Sequence, residues 1–157
     1  MHKHDDGYCH DDSSSFSNTH EVKVPRYDVK LWPHIKARTL KAEVKHYVHA
    51  VAETSKVCMD VMGFEKIHVT QHGRECRHEV SAPSEIGSRL TIHLVEPLQK
   101  GSDCVLHITS FTRNSKSLTW GDFVFTHNEP IYCRSLFPCP VTPSRKSTFL
   151  IAIHLYY

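Results

Sequence analysis

Leu40-Lys41-Ala42-Glu43-Val44-Lys45-His46-Tyr47-Val48-His49-Ala50-Val51 decides the fold class, because its apolar and polar side chains trade places at every step. Leu40, Ala42, Val44 and Val48 share one parity, and Lys41, Glu43, Lys45 and His49 take the other. A period of two is what a strand with one buried and one wet face requires. A helix of this length would repeat its apolar residues every three to four positions.

The same texture extends on both sides. Val57, Met59 and Val61 predict a second strand, and Ile67 with Val69 a third. Cys76, His78 and Val80 alternate with Glu75, Arg77 and Glu79. Leu90, Ile92 and Leu94 follow, then Leu106 and Ile108 opposite Val105 and His107. Phe123 and Phe125 mark a short piece. Thr148 to Leu155 closes the series, with Phe149, Ile151, Ile153 and Leu155 on one face. Residues 50–60 admit a short helix, but the β-branched Val51, Val57 and Val61 favour a strand. Many short strands between Gly, Pro, Ser and Asn imply an all-β domain of antiparallel sheets, a sandwich or a saddle-shaped pair.

Length and composition agree with one such domain. The 157 residues are 39% hydrophobic and 23% charged, enough for a core. Residues 1–20 set Lys3 against Asp5, Asp6, Asp11 and Asp12, and their Ser, Asp and His leave little to bury. They are expected to be a disordered polar tail, with residues 21–157 as the β domain. The net charge of +2 is too small to call for nucleic acid. No run approaches the roughly 18 apolar residues of a spanning helix, and the polar start does not resemble a secretory signal. The default expectation is a cytoplasmic protein whose Cys9, Cys58, Cys76, Cys104, Cys133 and Cys139 stay reduced.

With 14 histidines, metal chemistry has to be tested. A zinc peptidase helix needs H-E-x-x-H, two imidazoles on one helical face with a glutamate between them to activate water. His20-Glu21 continues Val22-Lys23-Val24, and His78-Glu79 continues Val80-Ser81-Ala82, so neither supplies the second histidine. His72, Cys76 and His78 make a partial cluster, and the plainer reading is one thiol and one imidazole against the core. His2, His4, Cys9 and His10 sit among aspartates of the tail and read as solvated. No nucleophile elbow, phosphate loop or dinucleotide fingerprint occurs. The expectation is no catalytic residue and no metal ligand set.

One stretch is more specific: Glu129-Pro130-Ile131-Tyr132-Cys133-Arg134-Ser135-Leu136-Phe137-Pro138-Cys139, continuing through Pro143, Lys146 and Phe149. It resembles the signature E-P-x-x-A-R-x-x-F-P-C-x-D-E-P-x-x-K-x-x-F of the gluzincin aminopeptidases, the family of aminopeptidase N, aminopeptidase B, aminopeptidase O and leukotriene hydrolase. Glu129, Pro130, Arg134, Phe137, Pro138, Cys139, Pro143, Lys146 and Phe149 fall on it without a gap. Upstream, Pro25-x-Tyr27-x-Val29-x-Leu31-x-Pro33 resembles the family's opening strand, and Leu98-Gln99-Lys100-Gly101 before Val105–Phe111 its hairpin. The link at Leu118-Thr119-Trp120 is closer to the leukotriene hydrolase and aminopeptidase O branch than to aminopeptidase N. The departures are Val141-Thr142 for the Asp-Glu of the signature, Cys133 for its alanine, and Ala42 where glycine is common.

The resemblance implies a saddle-like β-sandwich, the N-terminal domain that leans on a thermolysin-like catalytic domain. It also implies that the family's zinc ligands lie downstream, so this chain is expected to be truncated before the zinc site, to bind no cofactor and to catalyse nothing alone. Glu129 matches the family's glutamate that meets the substrate's free α-ammonium, the charge an exopeptidase uses to find a peptide's amino end. Arg134 is expected to be structural. Two other roles stay open: a binding or regulatory module that docks a protein partner through an exposed apolar face, and an unrelated activity on Cys76, His78 or another histidine.

Overall fold

The alternation of Leu40–Val51 becomes the central strand of a six-stranded sheet. The structure, a computed structural model, describes residues 12–113, 115–142 and 145–155. His2, His4, Cys9, His10 and Pro143 lie outside the described residues, as do residues 1–11 of the expected tail. In chain order the strands are β1 (Val22–His34), β2 (Thr39–Ala50), β3 (Thr54–Val61), β4 (Lys66–Gln71), β5 (Arg74–Glu75), β6 (His78–Val80), β7 (Ser88–Leu98), β8 (Asp103–Thr112), β9 (Leu118–Trp120), β10 (Val124–Thr126) and β11 (Thr148–Ile153). A single 3-10 turn covers Tyr132–Ser135, and the described residues contain no α-helix.

The large sheet runs β11-β1-β2-β8-β4-β5, a second sheet runs β3-β7-β6, and β9-β10 is a separate hairpin. Val29 pairs with Val44 and Val44 with Ile108, so one row of inward side chains crosses three strands. Val57, Met59, Leu90 and Ile92 of the second sheet join that row in one buried cluster. Each such side chain taken fully from water contributes roughly 1.5–3 kcal/mol. The slip in register at Lys23/Arg26 falls beside Pro25, which cannot donate to a ladder.

Four expectations need correction. Ser15, Ser17, Asn18 and Thr19 are buried rather than part of a solvated tail: Ser15 Oγ donates to Asp60 of β3, Asn18 Oδ1 accepts from Cys58 N of β3, and Ser17 bonds to Ser15. Residues 74–80 are not one strand: β5 ends at Glu75 in the large sheet, the chain crosses at Cys76-Arg77, and β6 joins the second sheet. β10 takes Phe125 but not Phe123, and both rings are exposed. β11 pairs parallel with β1, from Arg26 with Thr148 to Leu31 with Ile153, and every one of its residues is exposed. Alternation gives the parity of a strand's faces but not the direction of its partner.

Candidate functional site

The signature stretch folds as a loop rather than a strand, and its middle holds Arg134, the largest fully buried side chain among the described residues. Arg134 is 0% exposed, as is Asp60 of β3, and the two charges face each other at 3.5 Å. Arg134 spends its planar fork on four chain segments. Nε donates to the Ile131 carbonyl (3.0 Å), Nη1 to Ile86 (2.7 Å) as well as Asp60, and Nη2 to Ser14 (2.8 Å). Asp60 accepts from Ser15 Oγ (2.5 Å), Phe16 N (2.7 Å) and Val141 N (2.9 Å). Lysine could not reproduce this, having one point of charge in place of a flat fork. Burial pushes the Asp60 carboxyl up, and Arg134 with these donors pulls it back.

Gly87 makes room for the hub. Its φ is +100°, and an added Cβ would lie 2.5 Å from the Val61 carbonyl oxygen and 3.5 Å from Arg134 Cδ. The rest of the signature is scaffold too. Phe137 is buried against Tyr27, the carbonyl of Pro138 accepts from His46 Nε2 at 2.7 Å, and Cys139 exchanges backbone hydrogen bonds with Asp60. His46 takes the inward position on β2 that the apolar residues leave vacant. Burial lowers its pKa to about 4. Phe149 stacks on Tyr27 from the edge strand.

Glu129 is different. It is exposed, in a turn, and makes no hydrogen bond or ion pair among the described residues. The chain on either side is hydrogen-bonded. Asn128 accepts from Ser117 Oγ and, through its carbonyl, from Tyr132 N at 2.7 Å. Ser135 Oγ donates to the Tyr132 carbonyl (2.7 Å) and accepts from Ser117 N (3.0 Å). The loop therefore presents the Glu129 carboxylate on a turn whose flanking residues are hydrogen-bonded. Beside it, Tyr27, Pro130, Cys133, Cys139, Arg145 and Phe149 line a cleft of about 290 Å³. A larger cleft, about 830 Å³, lies away from the signature between β4, β8 and β6.

Of the residues weighed for metal, His72, Cys76 and His78 are described, and they do not converge. His72 sits at the β4–β5 turn and pairs with Glu96 at 3.8 Å, while Cys76 is buried and its thiol is pushed up by burial. His78 leans on the Cys76 carbonyl. No three His, Cys, Asp or Glu side chains among the described residues converge as a zinc site needs.

Residues 23–156 match the family described as the Peptidase M1 N-terminal domain. The chain belongs to that family. The M1 domain's curated relatives include leucine aminopeptidase 2 of Candida albicans, 27% identical over 151 residues, which cover 91% of this chain and 24% of the relative. The native structure of yeast LTA4 hydrolase superposes with a TM-score of 0.80 at 26% identity, over 92% of this chain and 24% of that one. A mutant M1 zinc metallopeptidase of Deinococcus radiodurans, bound to a Tyr-Ser-Ala substrate, gives 0.71 at 21% identity over 86% and 33%, a likeness of fold. The M1 domain thus spans about a quarter of the length of the curated relatives it matches. Sequence reasoning missed Asp60, although an acid inside the inward run Val57–Val61 was a signal. Among the described residues no helix is long and apolar enough to cross a membrane.

Proposed function

We propose that this M1 domain is the non-catalytic part of a zinc aminopeptidase, where it forms one wall of the substrate cleft and Glu129 meets the α-ammonium of the peptide. The observation that carries the reading is a lone exposed carboxylate on a turn whose flanks are tied down. A fixed acid can measure distance from an amino end, whereas a mobile one cannot. The ammonium–carboxylate bond would be charge-assisted and worth on the order of 1.5–3 kcal/mol in a partly dehydrated cleft. Hydrolysis itself would come from a domain that carries H-E-x-x-H, with zinc supplying the activated water. The cytoplasm is the compartment in which its thiols would stay reduced.

Two assays test this. The purified chain, given zinc and aminoacyl fluorogenic substrates, is expected to show no turnover; chelator-sensitive hydrolysis would overturn the non-catalytic role. In a chimera where this domain replaces its counterpart in yeast LTA4 hydrolase, Glu129→Ala is expected to lower kcat/KM for free-amine peptides by roughly 10–100-fold. An unchanged kcat/KM in a folded chimera would remove Glu129 from the cleft.

A second reading has its own observation. Leu150, Ile151 and Ile153 of β11 are each more than half exposed on a sheet edge. A module that docks a protein through this edge would bury them. Gel filtration of the chain with and without a zinc catalytic domain separates the readings: a stable complex supports docking in trans.

A further inference from the structure

Cys133 stands where the family signature has alanine, and the structure shows what that exchange creates. The Cys139 thiol points at Cys133 Sγ across 3.8 Å, which is van der Waals contact between sulfurs. Both residues are held at the backbone. The Cys133 carbonyl accepts from Leu136 N at 2.9 Å and Phe137 N at 3.3 Å, and Cys139 is bridged to Asp60. Both line the cleft of about 290 Å³, Cys133 half-buried and Cys139 buried. Cys58, Cys76 and Cys104 are buried, and no sulfur–sulfur hydrogen bond joins them among the described residues.

We infer that Cys133 and Cys139 form a hydroperoxide-responsive dithiol, in which Cys133 is the attacking thiol and Cys139 resolves it to a disulfide. The hydrogen bond from Cys139 holds Cys133 below the ordinary thiol range, with help from the Arg134 guanidinium. The same bond, burial and the Asp60 charge push Cys139 up, so it keeps its proton. One partner is poised as the nucleophile and the other as the donor.

The chemistry balances with the peroxide as oxidant. The Cys133 thiolate attacks one peroxide oxygen; an S–O bond forms, the O–O bond breaks, and the departing alkoxide or hydroxide takes a proton from water. Cys139 sulfur then attacks Cys133 sulfur. The S–S bond forms, the S–O bond breaks, and hydroxide leaves with the Cys139 proton as water. Two thiols lose two electrons and the O–O bond gains them. The sulfurs must close from 3.8 Å to a bond of about 2.05 Å.

The test uses the full chain carrying Cys9→Ser, treated with one equivalent of hydrogen peroxide and mapped by mass spectrometry. A Cys133–Cys139 crosslink, lighter by two hydrogens and reversed by dithiothreitol, is expected. In untreated protein, iodoacetamide is expected to label Cys133 roughly 10-fold faster than Cys58, Cys76 or Cys104. With Cys139→Ser added, a dione probe should trap the sulfenic acid at Cys133. Oxidation of the other three thiols while Cys133 and Cys139 stay free, or no oxidation at ten equivalents, overturns the inference. The crosslink and labelling need no change at either cysteine, so a fold defect in the Cys139→Ser chain cannot obscure them.

Discussion

Arg134 and Glu129 lie five residues apart in one loop and have opposite surroundings. Arg134 is sealed from solvent and bonded to four chain segments, whereas Glu129 is exposed on a turn with no partner among the described residues. The difference separates two environments inside one motif. Arg134, Phe137, Pro138 and Cys139 build the loop; Glu129 is what the loop holds out. A buried charge costs several kcal/mol unless matched, so removing one partner of the hub is costly even where replacing both is not. An exposed carboxylate contributes little to stability and is available to a ligand.

The largest expected effect comes from breaking the buried pair. Arg134→Met should cost about 3–5 kcal/mol, because Asp60 is left charged and unmatched in the core. For a chain of this size that lowers the thermal midpoint by on the order of 10 °C. Asp60→Leu added to Arg134→Met should recover part of the loss, since both charges are then gone. Urea unfolding of the two variants reads the difference. A loss below 1 kcal/mol in Arg134→Met would mean that the hub does not hold the loop.

Acid should attack the same half of the molecule through His46. Its folded pKa of about 4 lies below the ordinary 6.5. The unfolded chain therefore binds the proton first. The contribution is whole above pH 6.5 and is lost as pH falls toward 4, about 3 kcal/mol in all. Asp60 works in the opposite sense. Its raised pKa lets the folded state take up a proton before the unfolded chain as pH falls, so its contribution falls as pH rises. Stability measured between pH 7 and 4 should drop less steeply in His46→Leu than in the parent, whatever its absolute value. Equal slopes would place the acid sensitivity elsewhere.

How much of this was legible in the sequence depended on the range of the interactions. β2, β7 and β8 alternate because each has one face in the core, a local pattern that needs no partner to be read. The hub was not legible as a hub. Ser14 and Ser15 looked like tail, and their value lies in contacts with Arg134 and Asp60 that are 120 and 45 residues away in the chain. β11 displayed its apolar residues but not its parallel pairing or its exposure, since both depend on which neighbour it finds. Glu129 carries no local mark either; only the surrounding motif singled it out, while His46 was marked by parity alone.

Glu129→Ala should leave the stability of the isolated chain within about 0.5 kcal/mol, as for surface changes away from special features. This sharpens the contrast with Arg134, because neighbours in one motif would then differ several-fold in cost. Chemical denaturation of the single variant suffices. A loss above 1.5 kcal/mol would show that the carboxylate braces the loop, and the cleft reading of Glu129 would lose its basis.

The smallest change in stability is expected at Ile151→Lys on β11. Ile151 is 53% exposed, its strand pairs on one side only, and its ladder partner is Val29 through backbone bonds that the substitution keeps. Lysine is the residue that blunts open sheet edges, so the gain should appear elsewhere, as less concentration-dependent light scattering. Unfolding free energy should move by about 0.5 kcal/mol or less. If Ile151→Lys instead cost as much as a core truncation, β11 would belong with the buried half of the molecule. The division between a loop that is held and an edge that is left open would then fail at its outermost strand.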